Sequence, residues 1–168
     1  RREVWSRALE LTGVSGSELA AHAARVYAEA RRRHYAPFPE TLEVVSHLYD
    51  EKPLGVITNG PPDGQRDKLE AIGLAGYFGT VVTSGALGVG KPQPQIFEVA
   101  LAGIGVQAAR AVHIGDNMDT DVAGALNAGM FAVWVNRSGA KPPRGMACPD
   151  AEISTLSEVP DLLVGLGG

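Results

Sequence analysis

Three short stretches of this chain carry residue types that could do chemistry, two directly after an apolar run and one after a Gly-rich loop. The first is Thr58-Asn59-Gly60, after Leu54-Gly-Val-Ile. A hydroxyl and neighbouring N–H groups there can hold a phosphate oxygen, although Asn-Gly is also an ordinary turn pair. The second is Gly90-Lys91-Pro92. Its lysine could bring a flexible cation to a phosphate or carboxylate, although a lone loop lysine is more often simply solvated. Pro92 is acceptable in a first helical turn, where its missing N–H would have no partner anyway. The third, Gly115-Asp116-Asn117-Met118-Asp119-Thr120-Asp121, packs three carboxylates into six residues after Ala111-Val-His-Ile114. Hard oxygens at such a place suit Mg²⁺, which takes one or two carboxylates and keeps waters and substrate phosphate. A helix capped by Asp119 or Thr120 with an acidic first turn would explain the later residues. It would not explain Asp116, which comes too early to cap.

Positioning these groups requires strands that end beside one another. Leu54–Thr58, Thr80–Thr83, Ala111–Ile114 and Phe131–Val135 are short apolar runs. They alternate with helical patterns over Thr41–Tyr49, Asp67–Ile72, Pro94–Leu101, Val122–Asn127 and Ser157–Leu163. That alternation predicts an α/β fold with a Rossmann-like parallel sheet covered on both faces. In such sheets ligands bind beyond the carboxyl ends of strands, where all three stretches fall. Residues 1–35 lack strand signals. Val4, Trp5, Ala8, Leu9 and Leu11 recur at helical spacing with Gly13 as a stop. Ser15 with Glu18 forms a capping-box pattern opening a second helix to about His34. Arg31, Arg32 and Arg33 then fall in its last turn, where cations suit the helix end. A solvated turn explains this basic run more simply than a phosphate- or nucleic-acid-binding patch. Pro37 and Pro39 mark a linker.

Bulk properties narrow the function. The 168 residues are 45% hydrophobic and 20% charged, as in ordinary globular domains. A net charge of -4 gives no pull towards nucleic acid or an anionic membrane. No apolar run is long enough to span a bilayer, and there is no signal-peptide pattern. The single Cys148 excludes an intrachain disulfide and fits a cytoplasmic setting. Gly85 through Lys91 reads G-x-x-x-x-G-K, but Pro92 stands where a P-loop needs a hydroxyl. That stretch also follows the second strand rather than the first. His113, within an apolar strand, is expected to be packed and hydrogen-bonded rather than catalytic, and His22, His34 and His47 show no ligand spacing. No G-x-S-x-G element supports an α/β-hydrolase.

Taken in order, Ile57-Thr58-Asn59-Gly60, Gly90-Lys91-Pro92 with Ile96-Phe97, and Ile114-Gly115-Asp116 with Asp121 resemble the second, third and fourth motifs of the haloacid-dehalogenase superfamily. The likeness runs from about Phe38 to Val159. Phe38-Pro39-Glu40-Thr41 resembles the return from an inserted helical cap to the core. Residues 1–35 would be the C-terminal part of that cap, and 36–168 the core without its first strand. Gln65-Arg66-Asp67-Lys68-Leu69 and Val133-Trp134-Val135-Asn136 are most similar to the branch holding N-acylneuraminate-9-phosphatase and nucleoside 5′-monophosphate phosphatases. The resemblance implies a Mg²⁺-dependent phosphomonoester hydrolase acting on a small phosphorylated metabolite through an aspartyl-phosphate. Thr58, Asn59 and Gly60 would bind the phosphoryl group and Lys91 would neutralise it. Asp116 would ligate Mg²⁺, and Asp121 would support the metal shell or orient Lys91.

One departure from the family pattern matters. The family's first motif, an Asp-x-Asp after an N-terminal strand, supplies the nucleophile, and no such element follows an apolar strand here. Met118-Asp119-Thr120-Asp121 contains the pair only inside the fourth motif. The missing strand would be central, and each backbone group left dry beside it would cost roughly 1–3 kcal/mol, against a total stability of about 5–15 kcal/mol. The chain opens at Arg1, already inside a helix-like segment, so upstream residues are expected to belong to it. Alone, it is expected not to turn over substrate. The alternatives are a non-catalytic phosphate- or protein-binding module, a 2-haloacid dehalogenase or a phosphomutase. The metal-free dehalogenase branch lacks the acidic Gly-Asp start of the fourth motif, so Asp116 and Asp121 favour the phosphatase.

Overall fold

The computed structural model describes residues 2–13 and 16–166. It divides the chain into two units, Arg1–Ala36 and Pro37–Gly168. The first unit is a pair of helices, α1 (Arg2–Leu11) and α2 (Ser17–Arg33). Trp5 meets Tyr27 edge to face, with ring centroids 5.7 Å apart. Ser15, the expected cap, lies outside the described residues, and Gly16 flanks α2 without a side-chain cap. Of the basic run, Arg31 places its guanidinium over Tyr27 and over Tyr35, 5.6 Å from each ring. These cation–π contacts give one of the three arginines a packing role within its own helix end.

The second unit opens with α3 (Thr41–Tyr49) and continues through β1 (Gly55–Thr58), α4 (Pro62–Ala71), β2 (Thr80–Thr83), α5 (Ser84–Leu87) and α6 (Pro94–Ile104). Then follow β3 (Val112–Gly115), a π-helical turn (Met118–Val122), α7 (Ala123–Asn127), β4 (Phe131–Val135), β5 (Ala151–Ile153) and α8 (Val159–Leu166). All strand pairings are parallel, as the alternation predicts, but they form two separate sheets. β1 pairs with β2 from Gly55↔Thr80 to Thr58↔Thr83. The other sheet has the order β3-β4-β5. β1 and β3 are therefore both edge strands.

Several elements depart from the periodicity. α4 starts five residues before the expected Asp67, because Pro62 at its first turn presets φ and Gly64 hides the pattern. α6 opens at Pro94, so Pro92 precedes the helix rather than sitting in its first turn. β5 has only three residues, one of them the exposed Glu152, too few to show alternation. The acidic stretch is capped by neither Asp119 nor Thr120. Asn117 caps it, its side-chain oxygen accepting from the N–H groups of Asp119 and Thr120 at 3.0 and 2.9 Å.

Two clusters of buried side chains hold this unit. One joins Val82, Ile96, Phe97, Ala100 and Leu101 to Met118, Val122, Ala125, Ala132 and Trp134, and so reaches both sheets. The other joins Val44 and Leu48 of α3 to Val133, Val135, Ile153 and Val159. Glu40, just before α3, fastens the latter face at its edge. One carboxylate oxygen accepts from Arg137 at 2.6 Å, from the Thr155 hydroxyl at 2.9 Å and from the Leu156 N–H at 3.4 Å. Its own backbone N–H, then Arg137 and Thr155, hold its carboxyl down at about 2. Arg137 in turn lies 3.7 Å over the Phe38 ring. Among the described residues, no helix is long and apolar enough to cross a membrane.

Phe97 is fully buried, its ring 5.1 Å from that of His113 in an edge-on arrangement. Phe97→Ala is expected to destabilise the unit by about 3–5 kcal/mol, the transfer and cavity loss of a core phenylalanine. A chemical denaturation midpoint shifted by less than the equivalent of about 1 kcal/mol would contradict its place in the joining cluster.

Candidate active site

The turn after β1 and the loop after α5 lie against each other. The Asn59 side chain accepts from the Lys91 N–H at 2.9 Å and donates to the Lys91 carbonyl at 3.0 Å. The Gly60 N–H donates to the Ser84 hydroxyl at 2.9 Å, and the Gly85 N–H donates to the Gly60 carbonyl at 3.0 Å. This closeness explains both glycines of the G-x-x-x-x-G-K stretch. A Cβ at Gly85 would stand 2.8 Å from the Gly60 carbonyl oxygen, and one at Gly90 would stand 2.7 Å from Asn59 Oδ1. The glycines allow the two segments of backbone to meet.

Lys91 reaches from that loop to β1 and to the π-helical turn that follows β3. Its ammonium donates to the Ile57 carbonyl of β1 at 3.0 Å. It also lies 2.6 Å from Asp121 Oδ1, as an ion pair whose two side chains are 13% and 6% exposed. The other Asp121 oxygen accepts from the Asn117 N–H at 3.0 Å. His113 Nε2 faces Oδ1 at 3.5 Å. Both His113 Nε2 and Asp121 Oδ1 are sealed from solvent and lack a well-directed hydrogen bond. Burial alone would push the Asp121 carboxyl up. The closeness of the His113 ring and the Lys91 ammonium, the charge of Lys91 and the hydrogen bond from the Asn117 N–H outweigh it and hold that carboxyl well below the usual range. Gly115 makes room, since a Cβ there would overlap the Asp121 side chain.

Asp116 follows β3 and is exposed, while its carbonyl accepts from the Trp134 indole N–H at 3.0 Å. Asp116, Asp121 and Lys91 line one cleft of about 1250 Å³, together with Ile57 of β1 and His113 to Gly115 of β3. Thr58, Asn59 and Gly60 come directly after Ile57, beyond that lining. Among the described residues, no three metal-type side chains converge. The structure thus brings Lys91, Asp121 and Asp116 onto one cleft and Asn59 onto Lys91. Sequence reading missed Ser84, Asn117 and the partner of His113. Only Asn117 left a signal, an Asn ahead of two backbone N–H groups that a helix start must satisfy.

The ion pair makes two outcomes measurable. Asp121→Asn leaves the Lys91 charge buried without its counter-ion and is expected to cost about 3 kcal/mol at neutral pH. A carboxyl held below its unfolded value of 3.8 contributes stability that is complete above that pH and is lost as pH falls through the folded value. The gap between the native chain and Asp121→Asn should therefore be widest above about pH 4 and narrow below it. Thermal melts from pH 2 to 7 decide this; a constant gap would rule it out.

Residues 2–129 match the family described as haloacid dehalogenase-like hydrolase. Among curated proteins, the chain is 41% identical over 160 residues to a phosphoserine phosphatase of Thermus thermophilus, covering 95% of this chain and 63% of that protein. It is 33% identical over 166 residues to the human N-acylneuraminate-9-phosphatase, covering 97% of this chain and 67% of the relative. Among solved structures, a 2-haloacid dehalogenase from Pseudomonas syringae pv. tomato superposes with a TM-score of 0.86 at 38% identity, over 99% of this chain and 70% of the other. The chain thus spans just under two thirds of the Thermus phosphatase's length. With a match over most of its residues, the chain belongs to the haloacid dehalogenase-like hydrolase family.

Proposed function

We propose that this chain forms the phosphate-holding part of a Mg²⁺-dependent phosphomonoester hydrolase for a small phosphorylated metabolite. The observation that carries the reading is the Lys91 ammonium, fixed by Asp121 and Ile57 at a cleft that Asp116 also lines. The phosphatases among its relatives support the same class.

In this reading Thr58, Asn59 and Gly60 form the phosphoryl-binding turn. The Thr58 hydroxyl and the Asn59 backbone N–H are its donors, because Ser84 takes the Gly60 N–H. Lys91 neutralises the charge on the phosphoryl oxygens, and Asp121 orients Lys91. Asp116 holds Mg²⁺, and its exposed carboxylate fits a cation that takes one or two carboxylates and keeps its waters. Bound there, Mg²⁺ supplies charge stabilisation to the transferring group. The nucleophile is an aspartate absent from this chain. Its carboxylate displaces the alcohol at phosphorus, and water then cleaves the acyl-phosphate to release inorganic phosphate. The strand carrying that aspartate is assigned to the cleft between the β1 and β3 edges, and the Arg1–Ala36 unit to the end of a helical cap. Dehalogenation stands second, on the likeness to the Pseudomonas syringae structure; the carboxylate of Asp116 at the cleft argues against a metal-free reaction.

A panel of phosphomonoesters assayed with the longer, nucleophile-bearing protein, with and without Mg²⁺, tests this. Metal-dependent release of phosphate is expected from at least one member. Lys91→Ala should lower kcat by about 10²–10³-fold, as when one preorganised charge-stabilising donor is removed. Failure to hydrolyse any member, or hydrolysis indifferent to Lys91, would refute the assignment.

A further inference from the structure

Asn59 stands exposed in the turn assigned to the phosphoryl group, yet its side-chain amide is engaged by the neighbouring loop. An Asn amide offers one acceptor oxygen and two N–H donors. Here the oxygen and one donor go to the N–H and C=O of a single residue, Lys91. Such two-point pairing fixes both the position and the plane of the Lys91 backbone. The other end of Lys91 is fixed independently, by the Ile57 carbonyl and Asp121. A lysine has four freely rotating side-chain bonds and is costly to immobilise. Holding it at root and tip leaves its ammonium little freedom to leave the cleft.

Gly90 belongs to the same device. It is not among the glycines of positive φ, so its backbone would accept a side chain. A Cβ there would nevertheless come 2.7 Å from Asn59 Oδ1 and 2.9 Å from the Ser84 Cβ. The absence of a side chain at Gly90 is what lets the Asn59 amide reach the next residue along.

We infer that the Asn59 side chain is a positioning residue for Lys91, seated in the space that Gly90 leaves, rather than a ligand of the phosphoryl group. The functional side of this inference rests on the phosphatase reading; the clamp itself does not. It assigns different work to two parts of one residue: the Asn59 backbone N–H faces substrate, and its side chain sets the neighbouring loop.

Residue-by-residue amide hydrogen exchange by NMR on the longer, nucleophile-bearing protein tests the clamp without turnover. Asn59→Ala is expected to speed exchange of the Lys91 amide about fivefold or more, the factor maintained by one hydrogen bond of ordinary net strength. Amides of β4 should stay within about twofold, which separates the local effect from a general loss of stability. Gly90→Ala leaves Asn59 in place and should do the same, and the double variant should do no more than either alone. A Lys91 amide indifferent to Asn59→Ala overturns the clamp. In the longer enzyme, Asn59→Ala is expected to lower kcat about tenfold in the native background and to add nothing in Lys91→Ala, because coupled residues are non-additive. Losses that multiply would mean a direct ligand role and overturn the inference. An unaltered enzyme without any phosphatase activity would sink the phosphatase reading, while the exchange experiment would still decide the clamp.

Discussion

The contact on which this site depends is the buried pair of Lys91 and Asp121. It ties β1 to the π-helical turn that follows β3, across two sheets that share no backbone ladder, because the same ammonium also bonds the Ile57 carbonyl on β1. Removing two charges from water is costly, and their attraction repays that only when further hydrogen bonds complete the geometry. Here Asp121 gains the Asn117 N–H and faces His113, while Gly115 leaves the space in which the carboxylate lies. A well-packed apolar pair could fill such a place at least as stably. The ion pair is therefore better understood as a way of holding one cation at the cleft, in a defined orientation, than as a source of stability.

How much of this was legible in the sequence follows from the range of each interaction. Phe131–Val135 is legible at its observed bounds, because a buried parallel strand is an uninterrupted apolar run; Thr80–Thr83 is legible from its β-branched residues, although Val81 is exposed. Lys91, Asp116 and Asp121 were legible as candidates because they follow strands or their loops, and the cleft brings them together. The side-chain partnership of Asn59 was not legible. It spans 32 residues, and nothing local distinguishes an amide that binds a ligand from one that binds a distant backbone. The same holds for Gly85 and Gly90, whose spacing imitates a nucleotide loop while their purpose is close approach between two segments. His113 is expected from its apolar strand to be packed and hydrogen-bonded. It packs edge-on against Phe97, and its Nε2 faces a carboxylate supplied by the π-helical turn, a partner the strand itself does not announce.

The relatives include phosphatases and a dehalogenase on one scaffold, so the fold alone does not select between these reactions. Discrimination has to come from a handful of polar groups. An exposed carboxylate at the end of β3 offers hard oxygen to a cation and has no evident use in displacing a halide. The cleft that it lines is also bordered by both edge strands, β1 and β3. The polar backbone of those edges and the two carboxylates that follow β3, Asp116 and Asp121, thus border the same space.

The division of the sheet also decides how disturbances travel. In a continuous sheet, hydrogen-bonded register would transmit the position of one strand end to the next. Here the β1–β2 pair and the β3–β4–β5 sheet are related through side chains, chiefly those of α6, whose Ile96, Phe97, Ala100 and Leu101 share one cluster with Val82 on one side and Ala132 and Trp134 on the other. Interiors are packed as densely as organic crystals, so a change of one methylene there is felt by its neighbours. The separation of Lys91 from Asp121 is thereby tied to the fit of a helix packed between the two sheets. Substitutions buried in α6 would retune the site from beneath it, and such a position belongs to the chemistry as much as to the core.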